Sequence, residues 1–231
     1  MTVLAIILAR KNSKGLKNKN LRKVNKYPLI LHTLELAKKS KLIDDIVVST
    51  DSKVIQKLSL KNGVQAPFLR PKNISNDKAT TEIALKHCLI YMKKMKKINP
   101  SIILYLQVTE PLRKLWMINK CIMTLKKNKN IETAFMAKKF YKNIWKKNGK
   151  HFNRITKEKY GIPRQLKNKY FREDTGLACA TRPGVIMKGN RIGKKNKPIF
   201  YNHDFDYLDI HNENDLKIAN FILSKNLFKI N

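Results

Sequence analysis

The sequence lacks any long apolar run. None of its hydrophobic stretches approaches the roughly 18 to 20 residues that a membrane-spanning helix requires. The first apolar stretch, residues 3–9, has no charged region before it and no small-residue cleavage site after it, so we interpret it as a strand rather than a secretory signal. Cysteine is also scarce: Cys88, Cys121 and Cys179 are odd in number and have no metal-type spacing, which indicates reduced core thiols in a cytoplasmic protein.

Acidic residues are few as well. The chain has 16 Asp and Glu against 50 Lys and Arg, a formal net charge of +34. Such an excess raises nucleic-acid binding as a function, because clustered cations neutralise phosphates and release counterions. The lysines are nevertheless scattered over every predicted helix, often in pairs such as Lys93-Lys94, as an AT-rich coding genome would produce. The pattern favours compositional bias over a specific nucleic-acid partner, and an electrostatic attraction for anionic substrates stays open.

Hydrophobic residues make up 42% of the 231 positions, which is enough for one α/β domain with a full core. Periodicity predicts strands at 3–8, 45–50, 101–107, 132–137, 198–202 and 207–210. It predicts helices at 29–39, 52–61, 80–97, 116–127 and 214–225. Three further segments are a short extended piece at 64–69, a core segment at 176–181 and a helix or turn near 183–188. This alternation predicts a Rossmann-like, doubly wound, mostly parallel sheet with ligands where strands end in loops. Between 138 and 172 the alternation stops, and we expect a hairpin excursion that caps the site or meets a partner subunit.

The loop after the first strand carries several cations and one glycine. It runs from Ala9 and Arg10 through Lys14 and Gly15 to Lys19-Asn20. At the carboxyl end of a leading strand, its backbone amides and side chains suit a triphosphate. It is neither a Walker A motif nor a dinucleotide fingerprint, because Gly-Lys-Ser/Thr and the repeated glycines are missing. A solvated loop is the alternative interpretation.

Several segments, spread over nearly the whole chain, resemble the acylneuraminate cytidylyltransferases (CMP-sialic acid synthetases) and keep that family's order and approximate spacing. They are Ala9-Arg10 to Gly15, Lys19-Asn20-Leu21-Arg22, Pro28-Leu29, Val47-Val48-Ser49-Thr50-Asp51, Leu69-Arg70-Pro71, Asp77-Lys78-Ala79-Thr80-Thr81, Leu106-Gln107 to Pro111-Leu112-Arg113, and Asp209-Ile210. The resemblance implies a nucleotidyltransferase fold of the nucleotide-diphospho-sugar type, and an enzyme that joins CTP to a nonulosonic acid with release of pyrophosphate.

The resemblance also assigns residues to the two substrates. It implies that Arg10, Lys19 and Gln107 are catalytic, with Gln107 contacting the acceptor sugar. The nucleotide would be bound by Ala9, Arg10, Lys14, Gly15, Lys19, Asn20, Arg70, Ala79 and Thr81. Arg164 and Arg172 are candidates for the acceptor's carboxylate, because a guanidinium can hold a carboxylate through two hydrogen bonds.

The resemblance implies Mg²⁺ as cofactor, with Asp209 as its ligand. The family pattern is Asp-x-Asp, but His211 occupies the second position here. Histidine is a poor magnesium ligand, which leaves room for Mn²⁺. Glu173 and Asp174 also depart from the family; they supplement the metal site, contact a sugar substituent or are structural. Asn212 and Asp215 are expected to cap the last helix.

Three questions stay open from the sequence. The acceptor is a sialic, legionaminic, pseudaminic or 3-deoxy-manno-octulosonic acid, and a non-catalytic basic nucleic-acid-binding protein is the rival function. Related enzymes are commonly dimers, so we expect a homodimer in which Phe140, Tyr141, Ile144 and Trp145 form a contact or pack internally. The whole assignment depends on Arg10 and Lys19 lying on the same side of the sheet as Asp209.

Overall fold

The structure is a computed structural model that describes residues 1–156, 161–202, 208–225 and 227. In chain order its strands are β1 (Val3–Leu8), β2 (Lys23–Val24), β3 (Tyr27–Pro28), β4 (Asp45–Ser49), β5 (Ile102–Gln107), β6 (Thr133–Phe140), β7 (Trp145–Asn148), β8 (His151–Arg154), β9 (Tyr170–Glu173), β10 (Cys179–Thr181) and β11 (Asn196–Phe200). Its α-helices are α1 (Leu29–Lys38), α2 (Lys53–Lys61), α3 (Thr81–Met95), α4 (Leu115–Lys127), α5 (Pro183–Met187) and α6 (Glu213–Ser224).

Among the described residues, seven strands form one mixed sheet in the order β11-β6-β10-β5-β1-β4, with β9 paired to β6. Strands β4, β1 and β5 are parallel, and their registers place Leu8 beside both Ser49 and Gln107. Strand β10 is antiparallel to both of its neighbours, so β6 runs in the same direction as β5. The predicted α/β fold with a mostly parallel sheet is confirmed, and the carboxyl ends of its central strands meet at one edge.

The central strands are buried on both faces, which explains their continuous apolar sequences. On one face of β1, Val3, Ala5 and Ile7 pack against a cluster that includes residues of α1, α4 and α6. On the other face, Leu4 and Ile6 pack against residues of α3 and α5. No helix within the described ranges is long and apolar enough to span a bilayer.

Several helices begin at a residue whose side-chain oxygen accepts a hydrogen bond from a backbone N–H group of the first helical turn. Ser52 accepts from the amide of Ile55 at the start of α2, and Thr80 accepts from that of Ile83 at the start of α3. Asn212 and Asp215 form a reciprocal capping box at α6, as predicted. The amino end of α3 is thereby fixed beside the edge where β1 and β5 end.

Three predicted strands differ in the structure by two residues or more, one of which was predicted at 198–202 and is β11 at Asn196–Phe200. Residue 207 lies outside the described residues, and 208–210 form no strand: the amide of Ile210 donates to the carbonyl of Thr109 at 3.0 Å, where a strand needs a ladder of such bonds. The strand predicted at 132–137 continues to Phe140 as β6, because β9 pairs with its extension. Beyond it, β7 and β8 form a separate two-stranded hairpin within the excursion.

Candidate active site

The loop after β1 lies directly against the segment that precedes α6. The Lys19 Nζ donates to the carbonyl of Ile210 at 2.7 Å. At Gly15, a Cβ atom would overlap the backbone carbonyl of His211, so the approach requires glycine. Burial lowers the pKa of Lys19, which Asp209 raises and Arg10 lowers. Arg10, Lys19 and Asp209 therefore lie in one crevice on the same side of the sheet, as the assignment from the sequence requires.

Two of the predicted phosphate-binding cations are paired with a single carboxylate. The Arg10 guanidinium contacts Asp77 at 2.7 Å, and the Lys14 ammonium contacts the other oxygen of Asp77 at 3.5 Å. Arg10 also donates to the carbonyl of Asn76 at 3.3 Å. Asp77 belongs to the loop before α3, so these contacts connect the opposite sides of the crevice.

A mostly polar cavity of about 310 Å³ lies between the ends of β1 and β5, the loop before α3, and the amino end of α3. Of the predicted nucleotide-binding residues, Arg10, Arg70, Ala79 and Thr81 line it, together with Gln107. Such a concave, polar pocket at strand ends is where ligands of open α/β sheets bind.

Ala9 and Asn20 shape the loop behind this cavity. Ala9 is fully buried, and its amide donates to the carbonyl of Ser49 at 3.1 Å. The Asn20 side-chain amide donates to the carbonyl of Arg10 at 2.9 Å. These contacts fix the path of the loop on which Arg10 lies.

Arg70 is buried beside the loop that precedes α3. Its Nε donates to the Ser75 hydroxyl at 3.1 Å, and its amide donates to the carbonyl of Thr50 at 2.7 Å. Burial lowers the pKa of Arg70, with Asp51 raising it and Arg10 lowering it. A charge held in such a partly dry pocket interacts strongly with an anionic or polar ligand.

Gln107 connects Tyr105 and Thr109 to Asp209 through its side-chain amide. Its Nε2 donates to the Thr109 hydroxyl at 2.6 Å and to Asp209 Oδ2 at 3.1 Å. The Tyr105 hydroxyl donates to the Gln107 Oε1 at 3.2 Å. His211 Nε2 lies 3.1 Å from the same Oδ2 of Asp209. Sequence patterns carry no signal for Tyr105, because its apolar neighbours in β5 indicate only a core strand.

The residues around Asp209 supply few oxygen ligands for a divalent ion. Within the described part of the chain, no group of three or more His, Cys, Asp or Glu side chains could hold a metal. Asp209 is a buried carboxylate that faces the crevice cations, and magnesium commonly takes one or two protein carboxylates plus substrate phosphate oxygens. The donor set therefore fits an ion shared with a bound triphosphate and not an ion held by protein ligands alone.

Arg113 is a structural residue whose role the sequence did not indicate. It is 1% exposed, and its guanidinium donates to the carbonyls of Gln107, Gly176 and Leu177 and to the Thr33 hydroxyl. Burial lowers the pKa of Arg113, while Glu110 raises it. The arginine joins the end of β5 to the segment before β10.

One of the two predicted acceptor-binding arginines, Arg172, pairs with a buried carboxylate. The Arg172 guanidinium contacts both oxygens of the buried Asp174 at 2.8 and 3.3 Å, and the Tyr201 hydroxyl donates to Asp174 at 2.7 Å. Glu173 contacts Arg191 at 3.1 Å. Arg164 begins a short 3-10 turn, and its side chain lies outside the described part of the structure. The contacts described for Arg172 do not include Gln107 or Asp209.

Comparisons with known proteins agree with this geometry. Residues 4–207 match the sequence model of a family described as cytidylyltransferase. Post-translational flagellin modification protein B of Campylobacter coli is 31% identical over 232 residues, which cover 97% of each chain. CMP-N,N'-diacetyllegionaminic acid synthase of Campylobacter jejuni is 30% identical over 232 residues, again 97% of each chain.

The fold is also that of a solved nucleotide complex. The structure of CMP:2-keto-3-deoxy-manno-octonic acid synthetase complexed with CTP matches with a TM-score of 0.71 over 98% of this chain and 100% of that one, at 15% identity. At that identity the likeness shows a shared fold. The family match over most of the chain and the two full-length relatives show more: the chain belongs to the cytidylyltransferase family.

Proposed function

We propose that the protein transfers the cytidylyl group of CTP to the anomeric hydroxyl of a nonulosonic acid and releases pyrophosphate. The observation that carries this proposal is the convergence of Lys19, Gln107 and Asp209 in one crevice beside a polar cavity. The C. jejuni relative is named for N,N'-diacetyllegionaminic acid, so that acid is the first acceptor to test. A cytoplasmic location is part of the proposal and agrees with three buried free cysteines.

The transfer is an in-line displacement at the α-phosphorus. A bond forms between the sugar oxygen and the α-phosphorus, the bond from that phosphorus to the oxygen bridging to the β-phosphate breaks, and the proton of the sugar hydroxyl passes to water. Arg10, Lys14 and Lys19 neutralise the charge that gathers on the leaving pyrophosphate, while Arg70, Ala79 and Thr81 hold the nucleoside end. Gln107 orients the acceptor. A magnesium or manganese ion held by Asp209 would supply further charge neutralisation on the phosphates.

The test is pyrophosphate release from CTP with a panel of acceptors: N,N'-diacetyllegionaminic, pseudaminic, N-acetylneuraminic and 3-deoxy-manno-octulosonic acids. We expect release with at least one nine-carbon acid. Replacing Arg10 with Ala should abolish release without unfolding the chain, whereas Lys96→Ala, which removes an exposed cation near the end of α3, should leave turnover unchanged. Equal turnover by both variants would contradict the role of Arg10.

The rival function rests on the net charge of +34. A basic nucleic-acid-binding protein without catalysis would bind random DNA in a salt-dependent manner and show no nucleotide preference in a thermal-shift screen. Selective stabilisation by CTP with magnesium, relative to ATP and GTP, is the outcome we expect. Strong DNA binding without that selectivity would favour the rival.

We further propose a homodimer formed through the β7–β8 hairpin. A two-stranded hairpin is marginal in water without a packing partner. Its cross-strand register places Trp145 and Phe152 on the same face, and they are 48% and 60% exposed. Replacing both with Glu should yield a monomer by light scattering after size exclusion, whereas Phe221→Glu, at an equally exposed aromatic of α6, should not. A dimer that persists in the double variant would exclude this surface.

A further inference from the structure

Tyr105 is a buried phenol that the proposed chemistry does not yet use. Its side chain points from β5 toward the same face as Gln107 and is 4% exposed. Both residues line the cavity at the sheet edge. The Tyr105 hydroxyl is 3.2 Å from Gln107 Oε1.

Hydrogen-bonding chemistry fixes the direction of this contact. An ionised carboxylate only accepts, so the Gln107 side chain must turn its NH₂ group toward Asp209, which lies 3.1 Å away. The amide oxygen then faces Tyr105. Because an amide oxygen also only accepts, the Tyr105 hydroxyl must donate to it. The amide of Gln107 is thereby held in one orientation from both ends.

The Tyr105 ring is itself held in place. The Arg191 guanidinium lies over the ring, 5.7 Å from its centroid. Arg191 is in turn held by Glu173 at 3.1 Å and by Glu82 at 3.7 Å. Burial raises the pKa of Tyr105 to about 12, with Arg191 lowering it, so the hydroxyl remains a protonated donor at neutral pH. Residues from α3, β9 and the segment before β11 therefore support one phenol.

We propose that Tyr105 is a positioning residue that locks the Gln107 amide with its NH₂ group toward Asp209 and the acceptor, and that Arg191 fixes the Tyr105 ring. This inference rests on the proposed function, in which Gln107 orients the acceptor. Without the hydroxyl, the buried amide oxygen loses its donor and the amide can rotate. The residue acts on the acceptor through Gln107, and its hydroxyl also hydrogen-bonds to Thr81 at the edge of the same cavity.

The first test removes one oxygen atom. In Tyr105→Phe, kcat/KM for the sugar acid should fall about tenfold, the size expected for one lost buried hydrogen bond. The dissociation constant for CTP, measured by calorimetry, should change less than kcat/KM, because Thr81 loses one hydrogen-bond partner but the ring remains. The matched control is Tyr91→Phe, since Tyr91 packs on the same face of the sheet but donates to the carbonyl of Pro67 at 3.2 Å. Tyr91→Phe should behave like the wild type.

A double-mutant cycle then tests whether the loss of kcat/KM in Tyr105→Phe depends on the Gln107 side chain. In the Gln107→Ala background, Tyr105→Phe should cause no further loss, because the group it positions is gone. The inference is overturned if Tyr105→Phe matches the wild type, if its loss is multiplicative with that of Gln107→Ala, or if CTP affinity falls as much as acceptor turnover.

A spectroscopic readout separates this inference from the proposed function. The side-chain NH₂ resonances of Gln107 can be assigned by their loss in Gln107→Ala and followed in Tyr105→Phe and Tyr91→Phe. We expect slow exchange with solvent in the wild type, faster exchange in Tyr105→Phe only, and no change in Tyr91→Phe. If no sugar acid supports pyrophosphate release, the proposed function fails while the exchange data still decide on the locking. Unchanged exchange in Tyr105→Phe overturns the locking even if turnover is observed.

Discussion

Gly15 shows how closely two distant chain segments approach each other at the crevice. A Cβ at this position would overlap the backbone carbonyl of His211, two residues beyond Asp209. Backbone atoms cannot move aside as easily as the end of a flexible side chain. The glycine therefore sets the distance between the loop after β1 and the proposed metal ligand.

Replacing Gly15 with Ala should lower kcat/KM at least tenfold, because the loop carrying Arg10 and Lys19 must shift away from Asp209. The same overpacking should reduce the free energy of unfolding by about 1 to 3 kcal/mol. Steady-state kinetics and urea denaturation measure the two effects. Gly184→Ala is the control, since a Cβ there meets nothing within 4 Å. Full activity in Gly15→Ala would mean that the loop position is not critical.

Arg113 joins three backbone carbonyls at and near Gln107. Replacing it with Met keeps the length of the side chain but removes the guanidinium donor from the carbonyls of Gln107, Gly176 and Leu177, of which only Gly176 keeps the Gln107 amide as a described donor, so we expect a loss of about 3 to 5 kcal/mol in the free energy of unfolding. Lysine should not rescue it, because one ammonium group cannot reproduce the planar fork.

The control for Arg113→Met is the same substitution at Arg22, whose guanidinium pairs with Glu213 on the surface at 2.5 Å. Exposed pairs contribute little, so Arg22→Met should cost at most about 1 kcal/mol. Urea denaturation followed by circular dichroism compares the two variants. Equal losses would show that the hydrogen bonds of Arg113 do not stabilise the fold.

At the scale of elements, the sequence predicted those whose pattern is local. Strand β1 was predicted with its observed bounds, because a strand buried on both faces has an uninterrupted apolar run. The β2–β3 hairpin was missed: Asn25 and Lys26 adopt positive φ angles of 44° and 74°, but lysine is not a residue that signals such a turn. The antiparallel direction of β10 and the pairing of β9 with β6 depend on partners far away in sequence, which no local pattern encodes.

The residues of the candidate site were predictable from sequence, but the contacts that hold them in place were not. Cations after a leading strand indicated phosphate chemistry, and the resemblance supplied Gln107 and Asp209. The support for Gln107 was not predictable, because Arg191 lies 86 residues beyond Tyr105 in the chain. An aromatic ring within an apolar strand indicates core packing, and only the three-dimensional contact with Arg191 and Gln107 separates Tyr105 from its neighbours.

The loop before α3 competes with the proposed nucleotide for the same cations. Asp77 contacts Arg10 and Lys14, both of which the proposed function assigns to the triphosphate. To bind the triphosphate, these two cations must first leave their ion pairs with Asp77. Replacing Asp77 with Asn removes those ion pairs, so the dissociation constant for CTP should decrease about threefold to tenfold. Calorimetry with CTP measures this change.

The control for Asp77→Asn is Glu35→Gln, which removes a carboxylate from an exposed pair with Lys38 on α1. It should leave CTP affinity unchanged. Weaker CTP binding in Asp77→Asn would show instead that Asp77 contributes directly to the nucleotide site.

At the scale of the whole molecule, the net charge of +34 can be separated into local and remote contributions. Helix α3 has 15 residues and begins at the cavity, so its carboxyl end lies roughly 22 Å away. Lys94, Lys96, Lys127 and Lys129 are exposed near the carboxyl ends of α3 and α4, and the 13 residues of α4 place its carboxyl end about 20 Å from its start, which follows β5. The Debye length is about 8 Å at 0.15 M salt and about 30 Å at 0.01 M, so charges at that distance act on the crevice only at low salt.

Replacing these four lysines with Gln should therefore leave the association rate of CTP within about twofold of the wild type at 0.15 M salt and lower it several-fold at 0.01 M. Stopped-flow fluorescence with a fluorescent CTP analogue measures both rates. Lys14→Gln is the comparison, because this single cation lies beside Arg10 in the crevice loop and should reduce CTP affinity at both salt concentrations. If the four-lysine variant slows association equally at 0.15 M salt, the remote lysines attract the substrate under physiological conditions, and compositional bias is not a sufficient account of the charge.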